Sequence, residues 1–140
     1  MPSKHRPSKA PVRRTRRGAT LVEFAFAAPI LIVFSLTLIE LARLFTIQNT
    51  VENAAMEGAR RGIVPGASAS SAQQAALDVL TAVRISNSRV VIVPAVLTPT
   101  TPTVTVTVNA PIAGNTWIPS RFFKGTNLSK TITLTREMAP

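Results

Sequence analysis

The sequence predicts an α+β fold in which a long N-terminal transmembrane helix is followed by a small domain with one helix and an antiparallel sheet of about three strands. Three patterns indicate this fold: an apolar run near the N-terminus, helical periodicity that continues beyond it, and alternating Val and Thr in the second half. The chain has 140 residues, enough for one compact domain besides the helix. We divide it into a leader (1–18), the helix (19–62) and a domain (63–140).

The basic charge of the chain is concentrated at its N-terminus. The net charge is +10, and seven of the 16 Lys and Arg residues precede Gly18, in a stretch without any acid. Pro, Ser, Lys and Arg dominate this leader, which we therefore expect to be disordered. A basic tail next to an apolar run is typical of the cytoplasmic face of a membrane. The predicted topology is N-terminus in the cytoplasm and domain outside.

The apolar run at 19–39 has the length of a membrane span. It contains one charged residue, Glu23, and at about 1.5 Å per residue it matches a hydrocarbon core of roughly 30 Å. The alternative, a buried helix of a soluble protein, would need more apolar material around it than so short a chain supplies. Helical spacing of apolar residues continues to Gly62, where Pro65 and Gly66 supply a stop signal.

The second half of the chain contains one further helix and three strands. Ser71 is the predicted N-cap of a helix at 72–83. The predicted strands lie at 89–93, 103–108 and 130–135. In the last two strands the alternation places the threonines on one face and the apolar residues on the other. The residues predicted to be buried are Val104, Val106, Val108, Ile132 and Leu134.

The residues that would indicate an enzyme are missing from the expected positions. The only histidine is His5, in the leader, and there is no cysteine, which disfavours a catalytic triad, a thiolate nucleophile and a cysteine metal site. Four of the six carboxylates fall on the predicted long helix, where solubility and helix-face pairing explain them. We expect no catalytic activity, no metal, no cofactor and no small-molecule substrate.

Glu23 lies one turn inside the apolar run, where a charged group is costly, about 2.5–3.5 kcal/mol near a helix centre and less at the edge. If the chain were cut after Gly18, the new amine of Ala19 would lie on the same helix face and would be largely protonated near neutral pH. A neighbouring copy could supply the same amine. The alternative is that Glu23 interacts with Arg16, Arg17 or lipid headgroups, and the residues alone do not decide between these interpretations.

Two pairs of opposite charge lie three residues apart on the long helix. Glu40 can pair with Arg43, and Glu57 with Arg60, to stabilise the helix or to contact a partner helix. Gly58 and the neighbouring alanines form a face of small residues. That face fits either close packing with another helix or an internal contact with the strand domain.

The segment Gly18-Ala19-Thr20-Leu21-Val22-Glu23-Phe24 resembles the cleavage signature of type IV pilin-like precursors, which prepilin peptidase cuts after Gly and in which Glu is the fifth mature residue. The wider run at 21–62 is similar to the TadE family of pseudopilins. The matching residues are Glu23-Phe24-Ala25, Pro29, Ile39-Glu40, Arg43 and Ala55-Met56-Glu57-Gly58-Ala59-Arg60.

The resemblance implies a minor pseudopilin of the bacterial inner membrane that helps to assemble a Tad (Flp, type IVc) pilus for adhesion or secretion. It implies cleavage between Gly18 and Ala19 and an assembly role for Glu23 and Phe24. The implied partners are the membrane, prepilin peptidase, other pilins and the pilus assembly platform. The resemblance covers the helix only.

Two rival functions fit the sequence less well. A secretory precursor, or a signal-anchored protein that releases or displays a soluble domain, fits the basic leader, but the apolar run exceeds the usual signal-peptide length of about 7–15 residues. A nucleic-acid-binding protein would leave that run unexplained and would need cations spread over a binding face. We therefore expect no nucleic-acid partner.

Overall fold

The computed structural model describes residues 17–117 and 125–136. The leader up to residue 16, the Phe122-Phe123 loop and Glu137 lie outside the described residues, so the predicted disorder of the leader stays a prediction. The elements are α1 (Arg17–Gly62), α2 (Ala69–Ala82), β1 (Arg89–Val93), β2 (Thr103–Pro111) and β3 (Asn127–Thr135). They confirm the α+β fold. The chain divides into two units, Met1–Leu36 and Thr37–Pro140.

Helix α1 begins at Arg17, two residues before its predicted start, and ends at Gly62 as predicted. Its most apolar 18-residue stretch has a mean hydropathy of 2.2, and 0% of that stretch is buried. By length and composition this helix can cross a membrane, and its exposure argues against the alternative of a buried core helix. Its large exposed side chains include Leu21, Phe24, Phe26, Ile30, Leu31, Phe34 and Leu36.

The second half of α1 is part of a protein core. Five apolar residues of this half are buried: Ile47, Val51, Ala54, Ala55 and Ala59. Together with residues of α2 and the sheet they form one hydrophobic cluster. One helix therefore presents large apolar side chains to its surroundings in its first half and buries Ile47, Val51 and several alanines in a core in its second half.

Two glycines let α1 approach its neighbours closely. A Cβ atom added at Gly58 would lie 3.1 Å from the Cβ of Ala76 and 3.2 Å from a methyl group of Val106. One added at Gly62 would lie 2.8 Å from a methyl group of Val104, closer than such atoms can approach. The small-residue face of α1 is thus occupied within the chain, by α2 and β2, which favours the internal contact over packing against another helix.

Helix α2 begins earlier than predicted because the N-cap is Ser68 rather than Ser71. The Oγ of Ser68 accepts a hydrogen bond from the backbone N–H of Ser71 at 3.1 Å, and the Oγ of Ser71 accepts one from the N–H of Ser68 at 3.2 Å. This capping box satisfies two backbone donors at once, which a cap at Ser71 would leave without partners. The buried face of α2 consists of Ala72, Ala76 and Leu80.

The sheet is antiparallel with strand order β1-β2-β3. β1 has its predicted bounds, whereas β2 continues to Pro111 and β3 begins at Asn127. The predicted faces are correct: Val104, Val106 and Val108 of the central strand are completely buried. Ile132 and Leu134 were predicted to be buried but are only partly so, because β3 is an edge strand with a neighbour on one side.

The threonines on the other face of the sheet bond to one another across the strands. The hydroxyl groups of Thr105 and Thr133 are 2.8 Å apart, and those of Thr107 and Thr131 are 2.9 Å apart. Cross-strand pairs of this kind stabilise a sheet by roughly 0.2–1 kcal/mol each. They also fix the register that the Val/Thr alternation predicts.

Arg136, which directly follows β3, is bonded to the C-terminal end of α1. Its buried guanidinium donates to the carbonyl oxygens of Gly62 at 3.0 Å, Ile63 at 3.1 Å and Thr98 at 2.8 Å. The last carbonyls of a helix have no partner within it and carry partial negative charge, so a cation is favourable there. Arg136 thereby joins the end of α1 to the end of the sheet.

We predict that Gly62→Val destabilises the domain, because its side chain would enter space held by Val104. Overpacking of this kind costs about 1–3 kcal/mol. The measurement is thermal unfolding of the full chain in a neutral detergent, followed by the circular dichroism of the sheet. Gly18→Val is the matched control, since a Cβ at Gly18 meets nothing within 4 Å. Equal unfolding temperatures for the two variants would contradict the packing role of Gly62.

Candidate processing and assembly site

The start of α1 presents the residues of the predicted cleavage signature. Gly18, Ala19, Glu23 and Phe24 are all helical and exposed. Nothing lies within 4 Å of a Cβ added at Gly18, and a glycine lowers helix stability relative to alanine. Within the described chain, therefore, no packing constraint explains why position 18 is a glycine.

Glu23 is exposed, and its only charged neighbours in the sequence are the arginines of the leader. Among the described residues the single ion pair joins Lys130 to Glu52, with 3.1 Å between Nζ and Oε2. Glu23 thus has no ion-pair partner in that part of the chain, while Arg16 and the Arg17 side chain lie outside it. Both interpretations of Glu23, contact with a freed amine and contact with the leader, remain predictions.

Glu40 and Arg43 bind a turn of the domain instead of each other. Glu40 is only 4% exposed, and its Oε1 accepts a hydrogen bond from the backbone N–H of Trp117 at 3.0 Å. The Nε of Arg43 donates to the backbone carbonyl of Asn115 at 2.6 Å. No ion pair within 4.0 Å joins the two side chains in the described structure. The expected pairing is not formed because unpaired backbone groups of the turn offer both side chains a partner.

Asn115 connects the same turn to the loop between α2 and β1. Its Oδ1 accepts from the backbone N–H of Ser86 at 2.8 Å, and its Nδ2 donates to the carbonyls of Ser86 at 3.0 Å and Pro111 at 2.8 Å. The side chain is buried, and both ends of its amide are hydrogen-bonded. The Arg43 guanidinium also lies 5.5 Å from the centre of the Trp117 ring, within the range of a cation–π contact.

Glu57 and Arg60 do not form the expected pair either. Both side chains are exposed on α1, and no ion pair joins them among the described residues. The pair Glu52 and Lys130 connects α1 to β3 instead, but its side chains are 47% and 39% exposed. Exposed ion pairs contribute about 0–1 kcal/mol, so this contact has little influence on stability.

The contacts made by Asn115, Trp117 and Arg136 were not predicted from the sequence. Their partners lie as far as 77 residues away in the chain, and no periodicity or motif marks such separations.

Residues 17–117 and 125–136 contain no group of three or more His, Cys, Asp or Glu side chains that could hold a metal ion.

Residues 17–117 and 125–136 thus form one candidate membrane span and a small α+β domain. Residues 18–60 match the family model described as TadE-like protein. The match confirms the TadE-like resemblance of the helix, and it does not extend into the residues beyond α1. No curated protein and no solved structure matches the chain. The domain beyond Gly62 therefore has to be interpreted from its own structure.

We predict that Glu40→Ala releases the turn at Trp117, whereas Glu40→Gln does not. Glutamine keeps an oxygen that can accept from the Trp117 N–H, and it removes the charge from Oε2, which is buried without a hydrogen-bond partner among the described residues. Hydrogen exchange of the Trp117 amide should become about tenfold faster or more in Glu40→Ala, since about 1.4 kcal/mol corresponds to a factor of ten. Unchanged exchange in that variant would exclude the contact.

Proposed function

We propose that this protein is a minor pseudopilin that helps to assemble a Tad (Flp, type IVc) pilus in the bacterial inner membrane, in support of adhesion or secretion. Prepilin peptidase cuts it between Gly18 and Ala19, and the mature helix then associates with other pilins and the assembly platform. The observation that carries the proposal is the TadE-like match, which begins at Gly18, the first residue of the cleavage signature.

The three glycines of α1 support a processing role for Gly18. Gly58 and Gly62 are each explained by atoms less than 3.3 Å from an added Cβ, whereas Gly18 has no such neighbour. Because the described fold does not require a glycine at position 18, recognition of that position by another protein readily explains it. An enzyme that must reach the backbone between Gly18 and Ala19 would need a glycine there, because a side chain would obstruct its approach.

Helix α1 has an exposed apolar first half and a second half that is buried in the domain core. This division favours the proposal over a conventional secretory precursor. A cut beyond Ile39 would remove the apolar run and leave the core half, with Ile47 and Val51, as a new chain terminus. A cut after Gly18 leaves both halves in one continuous helix. The mature protein would then stay in the membrane through α1 while its domain remains folded on the same helix.

Glu23 supports a role in assembly after the cut. A carboxylate in an apolar helix needs a compensating positive charge, and no described residue provides one. The freed amine of Ala19, in the same chain or in a neighbouring copy, is a suitable partner because the pair would be poorly screened away from water. Phe24 lies beside Glu23 and is 68% exposed, so it is available to pack against a neighbouring helix.

We predict that Gly18→Leu blocks cleavage and that Glu23→Gln permits it. In a host with prepilin peptidase, the Gly18→Leu chain should retain the mass of the full precursor, and the Glu23→Gln chain should lose residues 1–18. Glu23→Gln should nevertheless lower pilus yield, because the uncharged amide attracts the amine only weakly. Ala27→Leu is the control for adding the same side chain at another exposed position of the helix.

Each outcome tests a separate step. Cleavage of Gly18→Leu would remove the peptidase from the proposal, and normal pilus yield with Glu23→Gln would remove the assembly role of the carboxylate. Loss of the whole apolar run from the wild-type chain would instead support the secretory alternative. Intact mass distinguishes these results directly.

We predict an N-terminus in the cytoplasm and a domain outside it, because seven basic residues precede the apolar run. Arg43 follows that run closely and Arg60 and Arg61 lie farther on, in a segment that also contains acids. A reporter enzyme fused after Pro140 that is active only in the cytoplasm should be silent, and one active only outside should work. The reverse result would overturn the orientation.

A further inference from the structure

A cavity of about 280 Å³ lies on the domain where α1 faces the end of α2 and the turn at Trp117. We call it the arginine groove. Its polar lining includes Arg43, Arg84 and Thr46, and its apolar lining includes Ile39, Val83 and Trp117. The residues that line it include no acid. The buried Glu40 lies beside this region, but its Oε1 is already bonded to the Trp117 N–H.

The two arginines retain donors for an anion. Arg43 uses its Nε for the carbonyl of Asn115, while its two terminal nitrogens bond to no described residue. The Arg84 side chain is exposed and makes no hydrogen bond or ion pair in the described structure; only its backbone N–H is bonded, to the carbonyl of Thr81. Guanidinium groups bind phosphate through parallel charge-assisted hydrogen bonds. The groove therefore has the charge of a phosphate site.

The position of the groove along α1 indicates where the phosphate comes from. Ile39 is the last residue of the apolar run, and Arg43 follows one turn later on the same helix. Val83 is 45% exposed and Trp117 is 68% exposed, so the rim of the groove is apolar. Tryptophan beside arginine is typical of the boundary between hydrocarbon and headgroups. A free phosphate would use the arginines but not this apolar rim.

We propose that the arginine groove binds the headgroup of an anionic phospholipid from the membrane that α1 crosses. The phosphate lies between Arg43 and Arg84, and the glycerol and upper acyl carbons contact Ile39, Val83 and Trp117. This inference rests on the membrane-spanning part of the proposed function and not on cleavage or pilus assembly.

The test uses the single tryptophan of the chain, Trp117, as the probe. The full-length protein in neutral detergent is titrated with phosphatidylglycerol, with phosphatidylcholine and with inorganic phosphate, and its fluorescence is followed. Phosphatidylglycerol should shift the emission to shorter wavelength at low mole fraction, and added salt should weaken the effect. Neither phosphatidylcholine nor millimolar phosphate should reproduce it.

Arg84→Gln is the decisive variant, because that side chain makes no hydrogen bond or ion pair within the described fold. It should weaken phosphatidylglycerol binding about tenfold, as expected for a lost charge-assisted contact. Arg60→Gln removes the same charge from an exposed position of α1 away from the groove, and it should bind like the wild type. Circular dichroism of both variants verifies the fold.

Three results would overturn the proposal: equal shifts with both lipids, an equal shift with inorganic phosphate, or equal weakening by Arg84→Gln and Arg60→Gln. The second would identify a simple anion site, and the third a general effect of charge. Failure of the proposed function is seen separately, because uncut Gly18→Leu keeps the groove and should bind phosphatidylglycerol normally. Likewise, Arg84→Gln should be cut as efficiently as the wild type.

Discussion

The close contact of α1 with α2 and β2 is the interaction on which the domain depends. It requires residues without large side chains along one face of α1. At Gly58 and Gly62, even an added Cβ would lie 2.8–3.2 Å from atoms of Ala76, Val106 or Val104. Such an interface gains dispersion energy from many short contacts and tolerates little added volume. The alanine-rich second half of α1 is therefore a consequence of packing rather than of helix propensity alone.

The two halves of α1 differ in the size and exposure of their apolar side chains. In the first half, Leu, Ile and Phe are exposed along the helix, as lipid contact would require. In the second half, buried alanines and glycines replace them. The change in side-chain size takes place within a single helix, α1.

Periodic features could be predicted from the sequence, and contacts between distant residues could not. The inward valines of β2 followed from their spacing, which has the period of a strand. The end of α1 at Gly62 followed from helical spacing together with the stop signal at Pro65 and Gly66. The contacts of Glu40 and Arg43 with the turn at Trp117 depend on loop conformation, which no period describes. Their spacing predicted that Glu40 and Arg43 pair with each other, but backbone groups of the turn bind both side chains instead. The contacts of Arg136 follow no spacing and were not predicted. The sequence likewise does not show that Gly58 and Gly62 face closely packed neighbours whereas Gly18 faces none within 4 Å.

The position of Arg136 has a consequence for biosynthesis. Its bonds to Gly62 and Ile63 span 74 and 73 residues, so these carbonyls at the end of α1 stay open to water until β3 and Arg136 have been made. The central strand also lacks one neighbour until β3 emerges. A chain that stalls before this point would carry a finished membrane helix and an unfinished domain with an open strand edge, which is vulnerable to proteases and to aggregation. The arrival of β3 and Arg136 thus closes the edge of the central strand and the end of α1 together.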